Sequence, residues 1–149
     1  MRKILPILLI FFSISCLSEE AKAQLEKFDE VAYVKTDAKD RIQIYVIDYG
    51  KVTSDEVFQH TLGKMHTTGR LTAVYYFDKN DRYPKGSRFN GHKSVATASL
   101  DLYNSSDIDD WKYVYVRGYP FNDLGYYDNL IDCTLPKESR LYGLCKGDK

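Results

Sequence analysis

Residues 41–77 hold two runs of β-branched and aromatic residues separated by an amphipathic stretch whose start is unusually legible. Thr53 is a good N-cap with Glu56 three places on, the capping-box spacing, and Val52 and Val57 occupy the hydrophobic staple positions. Val57, Phe58, Thr61, Leu62 and Met65 recur at the offsets of one apolar stripe, which predicts a helix from Ser54 to His66. Lys64 suits the negative end of its dipole, and Gly69 supplies a left-handed stop. The flanking runs, Arg41 to Tyr49 and Arg70 to Phe77, read as strands. Both of their faces are apolar, as expected of interior strands covered on two sides. A strand, helix and strand joined this way can form a parallel crossover.

Elsewhere the signals are weaker. Trp111 to Gly118 reads as a strand with Trp111, Tyr113 and Tyr115 on one face and Val114 and Val116 on the other. Tyr126 to Cys133 reads as its antiparallel partner across the turn residues Gly118, Pro120, Asn122, Asp123 and Gly125. Phe28 to Lys35 fits a strand paired with the next one, or the end of a helix beginning near Ala21. Val95 to Tyr103 alternates in a way that favours a strand, although a short helix fits its length. Asp78 to Asn90 reads as a polar loop. These elements predict an α+β or α/β fold: a single mixed sheet of about four to six strands with one well-capped helix packed on it.

The amino terminus points to export. Arg2 and Lys3 precede an apolar segment from Ile4 to Ile14, and Ala21-Lys22-Ala23 places small residues in the A-x-A spacing, so cleavage is expected between Ala23 and Gln24. A membrane-spanning helix needs about 20 apolar residues, and Glu19 and Glu20 arrive too early for one. The competing reading is a lipid anchor at Cys16, which Ser13 fits poorly because a bulky aliphatic residue is usual three places before an acylated cysteine. Residues 1–23 are therefore read as a secretory signal and 24–149 as one extracytoplasmic domain, periplasmic or secreted, or membrane-tethered if Cys16 is lipidated.

Removing residues 1–23 takes three basic and two acidic residues from the 21 of each, leaving a net charge of −1. No basic field of the kind that nucleic-acid binders use remains, and no nucleic-acid partner is expected. Cys133 and Cys145 are then the remaining thiols besides any acylated Cys16, and an even pair in an exported chain implies a disulfide. The redox or metal alternative lacks C-x-x-C spacing and any histidine near either cysteine in sequence.

Motifs for chemistry are sparse. His60 and His66 are six apart, about 120° around a helix, so they do not form an i, i+4 metal pair and are expected on or beside its polar face. Asp78-Lys79-Asn80-Asp81 and Asp107-Ile108-Asp109-Asp110 begin as calcium loops do, but Arg82, Tyr83 and Trp111 interrupt them, so turn residues are the better reading. Neither a metal nor a cofactor is expected. Gly86-Ser87-Arg88 lacks the rest of a nucleophile elbow. What remains for a hydrolase is His92 with a distant carboxylate such as Asp101 or Asp48. Lys79, Arg82, Lys85, Arg88 and Lys93 line one loop with Tyr83 and Phe89, and mixed charge there favours a solvated loop over an anion site. The chain's 13 tyrosines suit protein or glycan contact surfaces, although most are expected to pack within strands.

Two functions stay open: a non-catalytic cell-envelope module that binds a protein or a cell-wall glycan, and a small exported hydrolase using His92. Intact mass of the mature protein tests the leader: a chain beginning at Gln24 without lipid is expected, and a diacylglyceryl group on Cys16 would overturn that cleavage.

Overall fold

The computed structural model describes residues 27–35, 40–64, 72–89, 92–120, 126–139 and 144–148. The leader with Cys16, Ala23 and Gln24, and the expected helix end with Met65, His66 and Gly69, lie outside these. Five strands form one mixed sheet in the order β1 (Phe28–Lys35), β2 (Arg41–Ile47), β3 (Thr72–Asp78), β4 (Tyr113–Pro120) and β5 (Tyr126–Asp132). All neighbours are antiparallel except β2 and β3, which are parallel across the intervening helix α1 (Ser54–Lys64). One turn of helix, α2 (Gly86–Phe89), and a longer helix, α3 (Val95–Asn104), separate β3 from β4.

The start of α1 is built as its sequence indicates. Thr53 Oγ1 accepts from the Glu56 amide at 3.2 Å, and Glu56 Oε2 accepts from the Thr53 amide at 2.9 Å, so two first-turn donors are satisfied reciprocally. Val52 and Val57 are both buried in the same cluster. The stripe is narrower than the periodicity predicts. Val57 and Thr61 are buried, whereas Leu62 is 42% exposed, because a helix crossing a sheet presents only its central row to it.

β2 and β3 are buried along nearly their whole length, and each contributes to two separate cores. On the α1 face lie Tyr45, Ile47, Val74, Tyr76, Tyr113 and Tyr115 with Val57. On the opposite face Ile42, Ile44, Ala73, Tyr75, Phe77, Val114 and Val116 pack with Val95, Ala98 and Leu102 of α3. Trp111 belongs to this second face, not with Tyr113 and Tyr115. It precedes the strand, so the two-residue alternation does not reach it. Its ring meets Tyr75 and Tyr103 edge-on, each at 4.9 Å between centroids, and its Nε1 donates to the Leu144 carbonyl.

Two further expectations change. Residues 95–103 lie in helix α3, capped by Ser94 Oγ accepting from the Thr97 amide at 3.2 Å. Val95, Ala98 and Leu102 follow helical spacing onto the core, and the alternating Leu100 is 60% exposed. The polar loop after Asp78 also contains α2, and a Cβ at Gly86 would sit 3.2 Å from the Val31 carbonyl, so a residue without a side chain lets α2 approach β1. β1 itself is a strand, which settles its ambiguity.

Cys133 and Cys145 are joined, with Cα atoms 5.5 Å apart. Closing this short loop contributes about 3 kcal/mol in the chain-entropy description. Lys146 adds to the clamp by donating to the Ser105 carbonyl at 2.7 Å and to that of Ile108. Among the described residues, no helix is long and apolar enough to cross a membrane.

Urea melts separate the two helix leucines. Leu102→Ala removes a fully buried side chain and should lower stability by about 2 to 5 kcal/mol. Leu62→Ala should change it by less than about 1 kcal/mol, and Thr53→Ala should lower it by about 1 kcal/mol through loss of the cap. Equal losses at Leu62 and Leu102 would show the facing of α1 to be wrong.

Candidate functional site

The histidine singled out from sequence does meet one of its two candidate carboxylates. His92 Nε2 lies 3.5 Å from Asp101 Oδ2, because His92 immediately precedes α3 and Asp101 stands on that helix. Asp101, however, is already engaged. Arg88 grips it with Nε at 2.7 Å and Nη2 at 2.9 Å, a two-pronged pair, and reaches Asp107 through Nη1 at 2.8 Å. The Arg88 guanidinium holds the Asp101 carboxyl down to about 2. Ser105 Oγ completes the group by donating to the Asp101 main-chain carbonyl. Asp48 is placed elsewhere, paired with Lys79 at 2.6 Å and Lys51 at 3.2 Å.

The other charged motifs resolve into turns and pairs. Asp78 Oδ1 accepts from the Asn80 amide, and Asp81 meets Lys112 at 3.1 Å. Asp109 accepts from Arg82 Nη2 at 2.6 Å. Three of the five basic side chains along that loop, Lys79, Arg82 and Arg88, are therefore met by carboxylates. Among the described residues no cluster of three or more histidine, cysteine or acidic side chains could hold a metal ion.

A second constellation, which sequence reading missed, sits on the α1 face near β1. A bulge between Glu30 and Ala32 puts two residues of β1 against one of β2. Its effect is to swap faces: Phe28 belongs to the α1-side core, whereas Ala32 and Val34 belong to the opposite one. Glu30 opposite Tyr45 and Tyr33 opposite Gln43 therefore share the α1 face, although they are three residues apart. Tyr45 Oη donates to Glu30 Oε2 at 2.6 Å, and Gln43 Nε2 donates to the same oxygen at 3.2 Å.

His60 closes this group from above. It is half-buried, at the border between the polar face of α1 and its buried row, and it stacks on Phe28 at 4.0 Å between centroids with 4° between planes. Its edge meets Tyr45 at 4.6 Å. The hydrogen bonds around it determine its tautomer. The Thr61 hydroxyl donates to the Val57 carbonyl, so Tyr76 Oη, 2.6 Å from Thr61 Oγ1, is the donor in that contact. Tyr76 oxygen can then only accept from His60 Nδ1, 3.0 Å away, which places the ring proton on Nδ1 and a lone pair on Nε2. Burial, with Lys64 nearby, pulls the His60 pKa down to about 4, and burial also raises that of Tyr76. The signal that could have found His60 is its i+3 relation to Val57, which places it beside the buried row.

The described tyrosines differ in exposure. Tyr45, Tyr75, Tyr76, Tyr113 and Tyr115 are buried, and Tyr33 is 41% exposed. A separate open hollow of about 260 Å³ lies at the start of α1, lined by Ser54, Asp55, Phe58 and Leu130. No protein family, no curated protein and no solved structure matches the chain.

The neutral His60 sets a pH dependence. Between about pH 6.5 and 4 the unfolded chain binds a proton that folded His60 refuses, so stability falls as pH falls through that window. The loss should be about 1 to 2 kcal/mol, less than the full shift implies because the ring is only partly buried. Losses from Asp101 belong to lower pH, since its folded value is about 2. His60→Gln should flatten melting temperature against pH between 6.5 and 4, and an unchanged slope would refute the neutral buried imidazole.

Proposed function

We propose that this chain is an exported, non-catalytic binding module of the cell envelope, with a protein or wall component as its ligand. Export is supported by the leader-like residues 1–23 and is compatible with the Cys133–Cys145 disulfide. The observation that carries the non-catalytic reading is the state of Asp101. Arg88 neutralises the Asp101 carboxylate through two hydrogen bonds, which leaves less of its charge to stabilise an imidazolium on His92.

The second reading, a hydrolase, is favoured by the 3.5 Å approach of His92 to that same carboxylate. Wild type and His92→Ala, incubated with nucleic-acid, glycan and peptide substrates and with purified envelope fractions, separate the two. A binding module gives no turnover from either protein and equal retention on the envelope fraction. Wild-type turnover of any substrate that His92→Ala abolishes would replace the module with the hydrolase.

A further inference from the structure

We propose that the carboxy-terminal segment 144–148 is a redox-gated latch: thiol–disulfide exchange at Cys133 with a protein dithiol releases the segment from Trp111 while the sheet stays folded. The core does not depend on the segment. Among the described residues, Cys145 is the one buried member of the α3-side core that follows Ile131, and Leu144 only packs against that core. Cys133 has its own hold on the sheet. Its amide donates to the Lys112 carbonyl at 2.8 Å, and Asp132 Oδ1 accepts from the Thr134 amide at 2.9 Å, so the turn after β5 keeps its shape when the bond to Cys145 is cut.

What the disulfide holds down is a chain end with few other attachments. The Trp111 indole donates to the Leu144 carbonyl at 3.2 Å, and Lys146 reaches the carbonyls of Ser105 and Ile108. Burial pulls the Lys146 pKa down, so its two bonds carry a desolvation cost. These contacts compete with the entropy of fixing five residues, and the covalent tether decides the balance. Departure of the segment removes the acceptor of the Trp111 indole. It also frees the turn that carries Ser105 and Asp107, both partners of Arg88.

Exposure directs the exchange. Cys145 is 2% exposed whereas Cys133 is part-exposed, so an incoming thiolate meets the Cys133 sulfur. Attack there forms a mixed disulfide and breaks the Cys133–Cys145 bond, and Cys145 leaves as a thiolate that takes up a proton. The second thiol of the dithiol, losing its proton, then attacks its own partner sulfur and expels Cys133, which is protonated in turn. The dithiol is oxidised by two electrons and the cysteine pair is reduced by two. A protein disulfide of the same class closes the latch by the reverse steps.

Two measurements on the full exported protein test this. Incubation of the folded protein with a reduced C-x-x-C oxidoreductase, followed by alkylation and intact mass, should label both Cys133 and Cys145. Trp111 is the chain's single tryptophan, so its fluorescence reports on the latch directly. After dithiothreitol its emission should move to longer wavelength and acrylamide quenching should rise severalfold, with the far-ultraviolet circular dichroism and a cooperative urea transition retained. Cys133→Ser with Cys145→Ser should show the same open spectrum without reductant. The proposal is overturned if the oxidoreductase leaves the bond intact, or if the reduced protein keeps the emission and quenching of the oxidised one. Loss of the sheet on reduction would also overturn it, and would make the bond a staple of the whole fold.

Discussion

The parallel pairing of β2 with β3 is the constraint around which the molecule is arranged. Both strands are apolar on two faces, and neither can be left half-exposed without a large loss of buried area. A parallel pair needs a crossover long enough to return the chain, and α1 supplies that and covers one face at once. The opposite face then needs its own cover. α3, Trp111 and the segment around Cys145 provide it, drawn from three distant parts of the chain. The disulfide and the bond from Trp111 to the Leu144 carbonyl hold in place a tail that would otherwise fray from that core.

Local signals were legible where one short stretch decides the outcome. The box at Thr53 and Glu56, the β-branched runs of β2 and β3 and the cysteine pair each carry their meaning within a few residues or through a simple count. Signals failed where tertiary context decides. Residues 95–103 offer small and apolar residues that satisfy period two and period 3.6 alike, and the Ser94 cap together with a core waiting for Val95, Ala98 and Leu102 selects the helix. Trp111 lies outside the alternation, which begins two residues later at Tyr113, so the period says nothing of its face. The bulge in β1 left no mark in the pattern at all, yet it decides which face Glu30 and Tyr33 occupy.

The same contrast governs the two histidine sites. His92 and Asp101 could be named from sequence by elimination, but the Arg88 that neutralises the carboxylate lies on another element, and its reach depends on the turn of α2. His60 could be placed on a helix, but its role depends on Phe28, Tyr45 and Tyr76 from three strands. Candidate chemistry was thus visible as residue types, while the partners that silence or poise it were not.

The His60 group also bears on why a core of this size keeps polar atoms. An apolar residue at position 60 would fill the space beside Phe28 without any desolvation penalty, and replacing buried polar groups by apolar ones of similar shape is often neutral or stabilising. Here the hydrogen bonds form a directed series, from His60 Nδ1 to Tyr76, from Tyr76 to Thr61 and from Thr61 to the Val57 carbonyl, anchored on the backbone of α1 itself. Such a series fixes the position of α1 on the sheet more sharply than apolar packing, which tolerates sliding. Its far end is the Nε2 lone pair, and the neighbouring Gln43 carbonyl is likewise left as an acceptor. Structural need accounts for the inner part of this network, and the buried, unpartnered Gln43 Oε1 is the part that packing alone does not require.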